Sequence, residues 1–301
     1  MKYGAYISLL LCNFFWSTNI VLGQFLITAL PLIWLTFLRW TFAIVVLILL
    51  ARFFEKVDYW QVIKNSWLKL ASMGLLGVVL FNLLTYISLQ YTSPTNVGLI
   101  SALSPTCIMF FSAFLLKEKL STIQASGFII SFFGVVFILT SGNPLQLIHT
   151  KYNFGDFLMI IVVLCWTFYS IIGRKLLSVA PITTTALSAF FGLILMLPYA
   201  LVTPIHFSKI SFVEIVSILY IGIFASAFSF VLWNKSVHVV GVGKASISMN
   251  LVPVITASIV ILLGEKITNA QIWGGIIVLL GVLLTMGIFE KRKWIVISEV
   301  K

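Results

Sequence analysis

Ten apolar stretches alternate with short polar or proline-bearing breaks along the 301 residues, each about as long as a helix must be to cross a bilayer. They fall near 4–26, 31–51, 68–91, 94–116, 121–141, 154–176, 182–202, 212–234, 241–263 and 268–289. Breaks sit at points such as Leu30-Pro31, Ser93-Pro94, Ser141 to Asn153 and Thr203 to Ser211. The pattern is also said twice. Trp16, Gly23, Leu26 and Pro31 recur 150 residues later as Trp166, Gly173, Leu176 and Pro181. The stretch from Glu118 to Val135 recurs from Glu265 to Val282 with eight identities in eighteen positions. Ten spans in two copies give five helices each, and an odd number forces the second copy into the membrane upside down. The expected fold is therefore all-α and integral to the membrane, with ten transmembrane helices in two inverted five-helix repeats. The repeats occupy 1–141 and 154–290, with an external linker at 142–153 and a cytoplasmic tail at 291–301.

Composition agrees with this picture. Hydrophobic residues make up 61% of the chain and charged residues 9%, with mean hydropathy +1.14. A soluble domain carries about 25% charged residues, so a water-facing surface cannot be built from this chain. The first span holds Asn13 and Asn19, lacks a small-residue cleavage motif and belongs to the repeat, which argues against a removable leader.

The net charge of +11 sets orientation. With the N-terminus in the cytoplasm, fifteen of the nineteen cations fall inside, while Lys151, Lys209 and Lys266 fall outside and Arg39 lies within a span. Both termini are then cytoplasmic, in a cell (plasma or inner) membrane. No basic groove with interleaved aromatics suggests nucleic acid. Cys12, Cys107 and Cys165 are odd in number, lie in apolar segments and lack ligand spacing, so they read as packing residues. Neither a metal nor another cofactor is expected.

Several local signals have structural readings. Ser121-x-x-Gln124 and Thr268-x-x-Gln271 are capping boxes at matching places in the repeats. Glu118 and Glu265 stand just before them, as gating charges or as carboxylates favourably placed near a helix N-terminus. Gly127, Gly134, Gly274 and Gly281 form small-residue seams on the fifth and tenth helices. Pro31 and Pro181 fit a first helical turn.

The candidate chemistry is polar and uncharged, at mid-span. Pro105 and Pro253 occupy matching places in the fourth and ninth spans, and each frees the carbonyl four residues earlier, at Ser101 and Met249. A freed carbonyl in hydrocarbon needs protein or a wet cavity around it. Asn82 and Tyr86 share one helical face, and their repeat partners are Phe230 and Asn234. Trp16 stands on the first helix of one half, and Trp166 with Tyr169 on that of the other; Ser101 and Asn250 lie on the kinked helices. Such a set suits a small zwitterion or amphipathic metabolite, although interhelical hydrogen bonding uses the same residue types. Arg39 is a deep intramembrane cation whose repeat counterpart is Ala189. It serves either to bind an anionic group or to tie helices together. The eight carboxylates all sit at span ends or in loops, and His149, His206 and His238 are peripheral, so a mid-membrane proton relay is not visible. No Gly-rich phosphate loop supports ATP hydrolysis.

Asn250-Leu251-Val252-Pro253 followed by Gly264-Glu265-Lys266, Gln271, Gly274-Gly275 and Gly281 resembles the closing signature of EamA-type transporters, within the drug/metabolite transporter superfamily. A looser version stands in Phe15-Trp16-Ser17, Arg39, Leu103-Ser104-Pro105 and Lys117-Glu118-Lys119. The resemblance spans both repeats. It implies a central cavity lined mainly by the first, third, fourth, sixth, eighth and ninth helices, alternating access, and export of amino acids, related metabolites or toxic small molecules. Small-molecule substrate and lipid bilayer are the expected partners, with a second copy of the chain as a candidate. An exchanger of phosphorylated sugars or nucleotide sugars should need several cavity cations, and the chain offers Arg39 with Lys244 near a helix start. A lipid-acting enzyme would need a nucleophile–base pair at depth, and no such grouping exists; a scaffold would have only short loops for partners.

Overall fold

The computed structural model describes residues 2–92, 94–119, 121–145, 147, 153–205, 210–264 and 268–285. Glu265, Lys266, Lys151, Lys209, His149, His206 and the proposed tail lie outside the described residues. The chain is a multi-pass membrane bundle of α-helices. Its elements are α1 (Lys2–Leu26), α2 (Leu32–Phe54), α3 (Tyr59–Ser88), α4 (Pro94–Ser101), α5 (Ser104–Leu116), α6 (Thr122–Leu139) and α7 (Phe154–Arg174). They continue with α8 (Pro181–Val202), α9 (Phe212–Val240), α10 (Val242–Leu262) and α11 (Asn269–Thr285). Among the described residues eight helices are long and apolar enough to cross a membrane, while α5 and α11 are apolar but shorter.

Two boundaries differ from the hydropathy pattern, each for a local reason. The third span begins at Tyr59 rather than near 68, because Asp58 accepts hydrogen bonds from the Trp60 and Gln61 amides and starts the helix ahead of the apolar run. The fourth span is two helices, interrupted at Ala102 and Leu103, with Pro105 in the first turn of α5. Its counterpart tightens to a 3-10 turn at Ser248–Asn250 just ahead of Pro253. Both prolines thus disturb the turn that precedes them. Pro181 opens α8 as expected, while Pro31 sits one place earlier, at the cap of α2.

A second irregularity, also paired, was not visible in the sequence. Gly74–Leu80 within α3 and Ile221–Phe228 within α9 are π-helical, about 148 residues apart. Their glycines allow close approach: a Cβ on Gly74 would lie 2.7 Å from the Gly192 amide on α8, and one on Gly222 would lie 2.7 Å from the Arg39 carbonyl on α2.

Helices α6 and α11 pack through the glycine seam. A Cβ on Gly127 would come within 2.6 Å of the Gly281 carbonyl, and one on Gly134 within 2.9 Å of the Gly274 carbonyl, so the two helices run antiparallel with backbones nearly touching. Helix α7 occupies the centre, with 67% of its apolar window buried against 28% for α1. Outward-facing Phe53, Phe110, Phe114 and Leu262 present apolar surface suited to lipid.

Carboxylates stitch distant elements at one end of the bundle. Glu55, at the end of α2, accepts from the Ile182 and Thr183 amides and the Thr183 hydroxyl, closing the N-terminus of α8. Glu118, after α5, accepts from the Val242 and Gly243 amides at the start of α10 and pairs with Arg174 at 3.3 Å. These are helix N-termini, where a negative charge is favoured. Glu118 therefore acts on a helix far along the chain, not on the capping box that follows it, which is closed by Ser121 and Gln124 themselves.

Candidate functional site

At the centre of the bundle, seven rings from five helices meet. Trp16 of α1 packs edge to face on Trp166 of α7 at 5.2 Å, so residues at equivalent repeat positions touch each other. Trp166 stacks on Tyr169 one turn later at 5.1 Å. Phe230 of α9 stands edge-on to Trp166 at 5.4 Å and contacts Tyr169 and Trp16. Trp233, Phe81 and Trp40 complete the cluster, at 5.5 Å from Trp166, 5.1 Å from Trp166 and 4.8 Å from Phe230 respectively. Edge-to-face pairs of this kind add about 0.5–1.5 kcal/mol each beyond their buried area.

Polar groups hold the rings in place. Asn234 donates to the Tyr169 hydroxyl and to Thr185 Oγ1, both at 3.0 Å, and Trp233 Nε1 donates to Ser170 Oγ at 3.2 Å. The Nε1 groups of Trp166 and Trp40 are buried without an acceptor among the described residues.

One residue before Trp40 on α2 stands Arg39. It is the eighth residue of α2, roughly 10 Å along it at 1.5 Å per residue. The residue is 3% exposed. Nε donates to Ser226 Oγ at 2.9 Å and Nη1 to Asn82 Oδ1 at 3.4 Å. Ser226 lies inside the α9 π segment and bonds its own fifth preceding carbonyl, Ile221. Asn82 stands two residues after the α3 π segment and donates to the Gly77 and Val78 carbonyls. One guanidinium therefore links the two wide turns. An arginine at a helix centre costs about 2.5–3.5 kcal/mol on insertion scales, and two neutral acceptors offset only part of that.

Of the residues singled out from sequence, Trp16, Trp166, Tyr169 and Phe230 come together, and Asn82 reaches Arg39. Tyr86 is one turn from Asn82 and packs instead against the separate cluster of Leu26, Leu30, Leu35, Ile218, Ile221 and Ala225. Asn250 donates to Ser131 of α6 at 2.7 Å, a hydrogen bond that ties α10 to the glycine-seam pair. Ser101 ends α4, and Pro105 and Pro253 shape their helices without joining the rings. Trp40, Phe81, Trp233 and Ser226 belong to the centre and were not picked out by pattern. Trp233 and Ser226 had a signal, standing three residues after and four residues before Phe230 on the same face.

Residues 4–140 and 153–287 match the EamA-like transporter family. The chain belongs to that family. It is a secondary membrane transporter, not an enzyme, embedded in the plasma or inner membrane. Among the described residues no group of His, Cys, Asp or Glu could hold a metal ion. This EamA-like chain is 29% identical over 259 residues to the uncharacterized transporter YyaM of Bacillus subtilis, covering 85% of each. It is 31% identical over 227 residues to an uncharacterized transporter of Archaeoglobus fulgidus, covering 73% of this chain and 76% of that one. The uncharacterized inner membrane transporter YicL of Salmonella typhimurium is 22% identical over 293 residues, covering 95% and 96%. A solved crystal structure shares the fold with TM-score 0.76 at 19% identity, covering 94% of this chain and 96% of that one.

Proposed function

We propose that this EamA-like chain exports a small organic metabolite, such as an amino acid, by alternating access around the central ring cluster. The reading takes α4 and α5 together as one broken span, which makes ten transmembrane helices in two inverted five-helix repeats with both termini cytoplasmic. The observation that carries it is the contact between Trp16 and Trp166, equivalent residues of the two halves meeting at the bundle centre. Transporters built from inverted repeats place substrate where the repeats meet near the midplane. The antiparallel glycine seam and the paired π segments support the same symmetry. Trp16, Trp166, Tyr169, Phe230 and Asn82 are the proposed substrate-contacting residues. Tyr86, Ser101 and Asn250 are proposed to shape the walls, and Pro105 and Pro253 to set the helix breaks.

An exchanger of phosphorylated sugars is less favoured. Lys244 lines a small recess with Tyr6, Ile247, Ser248, Val282 and Thr285, while Arg39 bonds Ser226 and Asn82, so the two cations are not gathered at one site. The test is counterflow in proteoliposomes with a panel of amino acids and small metabolites, comparing the unsubstituted chain with Trp166→Ala and Asn82→Ala. Substrate-specific accumulation that the folded variants lose is the expected result. Full activity in both variants would remove the ring cluster from the transport path.

A further inference from the structure

We propose that the rim made by the end of α2, the connection 55–58 and the first turns of α3 binds the headgroups of anionic phospholipids. The inference goes beyond the transport reading and holds whatever the cargo is.

Helix α3 is longer than hydrocarbon alone requires. Its 30 residues reach roughly 45 Å at 1.5 Å each, against about 30 Å for the hydrocarbon core and 40–45 Å with the headgroup layers included. The surplus lies at its N-terminal end. Gln61, Lys64, Asn65 and Lys69 all precede Leu70, and no charged residue follows within the helix. The first turns therefore stand in the headgroup layer.

The faces of those turns are divided by what they meet. Tyr59, Val62 and Ile63 pack inward on the main core, to which Leu70 and Met73 also belong. Trp60, Lys64 and Trp67, at i, i+4 and i+7, form one outward stripe. The two tryptophans are 76% and 55% exposed, and they stand roughly 10 Å apart along the axis with the lysine between them. Indoles favour the boundary between hydrocarbon and headgroups, and a lysine carries its ammonium outward on an apolar stem. Because the inward face is packed, the stripe is carried on an element fixed to the bundle. Phe53 and Phe54 at the end of α2 are exposed as well and continue its apolar border.

Charge then selects among lipids. Arg52, Lys56, Lys64 and Lys69 are all exposed, and among the described residues none pairs with a carboxylate. The acids of the same stretch are turned to helix N-termini. Glu55 accepts from the Ile182 and Thr183 amides, and Asp58 from those of Trp60 and Gln61. The cations thus face outward without a protein counter-charge, at the depth where lipid phosphates lie. A zwitterionic headgroup brings its own cation and leaves that positive field unbalanced, whereas an anionic headgroup balances it. Basic clusters beside a membrane span hold anionic lipid by about fivefold for each cation.

The experiment titrates the purified full chain in detergent with phosphatidylglycerol or phosphatidylcholine of the same acyl chains, and native mass spectrometry reads the first lipid bound. Phosphatidylglycerol should bind more than about tenfold tighter, and the preference should shrink as ammonium acetate is raised. Lys56→Gln combined with Lys64→Gln should bring the ratio within about twofold. Lys119→Gln combined with Lys235→Gln removes the same charge from exposed positions outside the rim, and should leave the ratio unchanged. Equal binding of the two lipids by the unsubstituted chain overturns the proposal. So does a preference that survives the rim pair, or one that the control pair lowers as far, since net charge alone would then explain it.

Discussion

Trp166 touches four aromatic neighbours besides Trp16, yet its indole N–H has no acceptor among the described residues. Ring and N–H can therefore be separated by substitution. Trp166→Phe keeps most of the packing and removes no structural hydrogen bond. It should lower the melting temperature by only a few degrees while reducing transport about fivefold, the weight of one lost hydrogen bond of about 1 kcal/mol to the cargo. Trp166→Ala removes the packing as well, and about 3–5 kcal/mol of stability with it. Thermal unfolding in detergent beside counterflow distinguishes the two effects. At this scale the sequence was informative where side chains recur: Trp16 and Trp166 were paired by their offset, and they touch. It marked Arg39 as a deep cation but left its partners open. Ser226 shares a face with Phe230 by spacing, but nothing in the sequence pairs it with the guanidinium, because it sits in a π segment that spacing does not reveal. Asn250 shows the opposite limit, since an amide that suits a cavity suits an interhelical bond with Ser131 equally well.

At the scale of elements, close contact between backbones is the organising device. Gly134→Leu would drive a side chain into the Val278 amide and the Gly274 carbonyl, which cannot move aside as a flexible side chain can. The loss should exceed the ~1–3 kcal/mol of ordinary overpacking, seen as a lower melting temperature or failure to purify as a monodisperse species. Gly23→Ala is the contrast: nothing lies within 4 Å of the added Cβ, so helix propensity should raise stability by about 0.5–1 kcal/mol. Helix ends give a further test. Glu118→Gln removes the charge at the start of α10 and the Arg174 ion pair, and should cost about 1–2 kcal/mol in thermal unfolding. The seam and the capping boxes were legible because they depend on spacing within one helix. The π segments and the long-range caps were not, because both depend on which helix lies alongside.

For the whole molecule, hydropathy and charge together outlined the bundle, since a lipid environment leaves the chain little choice but helices with internally satisfied backbones. Orientation remains a proposal with a direct check. Reporter fusions at Lys119 should be active as a cytoplasmic fluorophore, and fusions at Asn143 as an exported phosphatase. Activity of both on the same side would refute the inverted arrangement. The carboxylate caps have a consequence for biosynthesis. Glu55 is synthesised 127 residues before Ile182, and Glu118 is 124 residues ahead of Val242. At ~5–20 residues per second, each waits about 6–25 s for the helix it will close. The first half therefore leaves the ribosome with two carboxylates still unclaimed at one rim, and that end of the bundle is finished only when the later helices arrive.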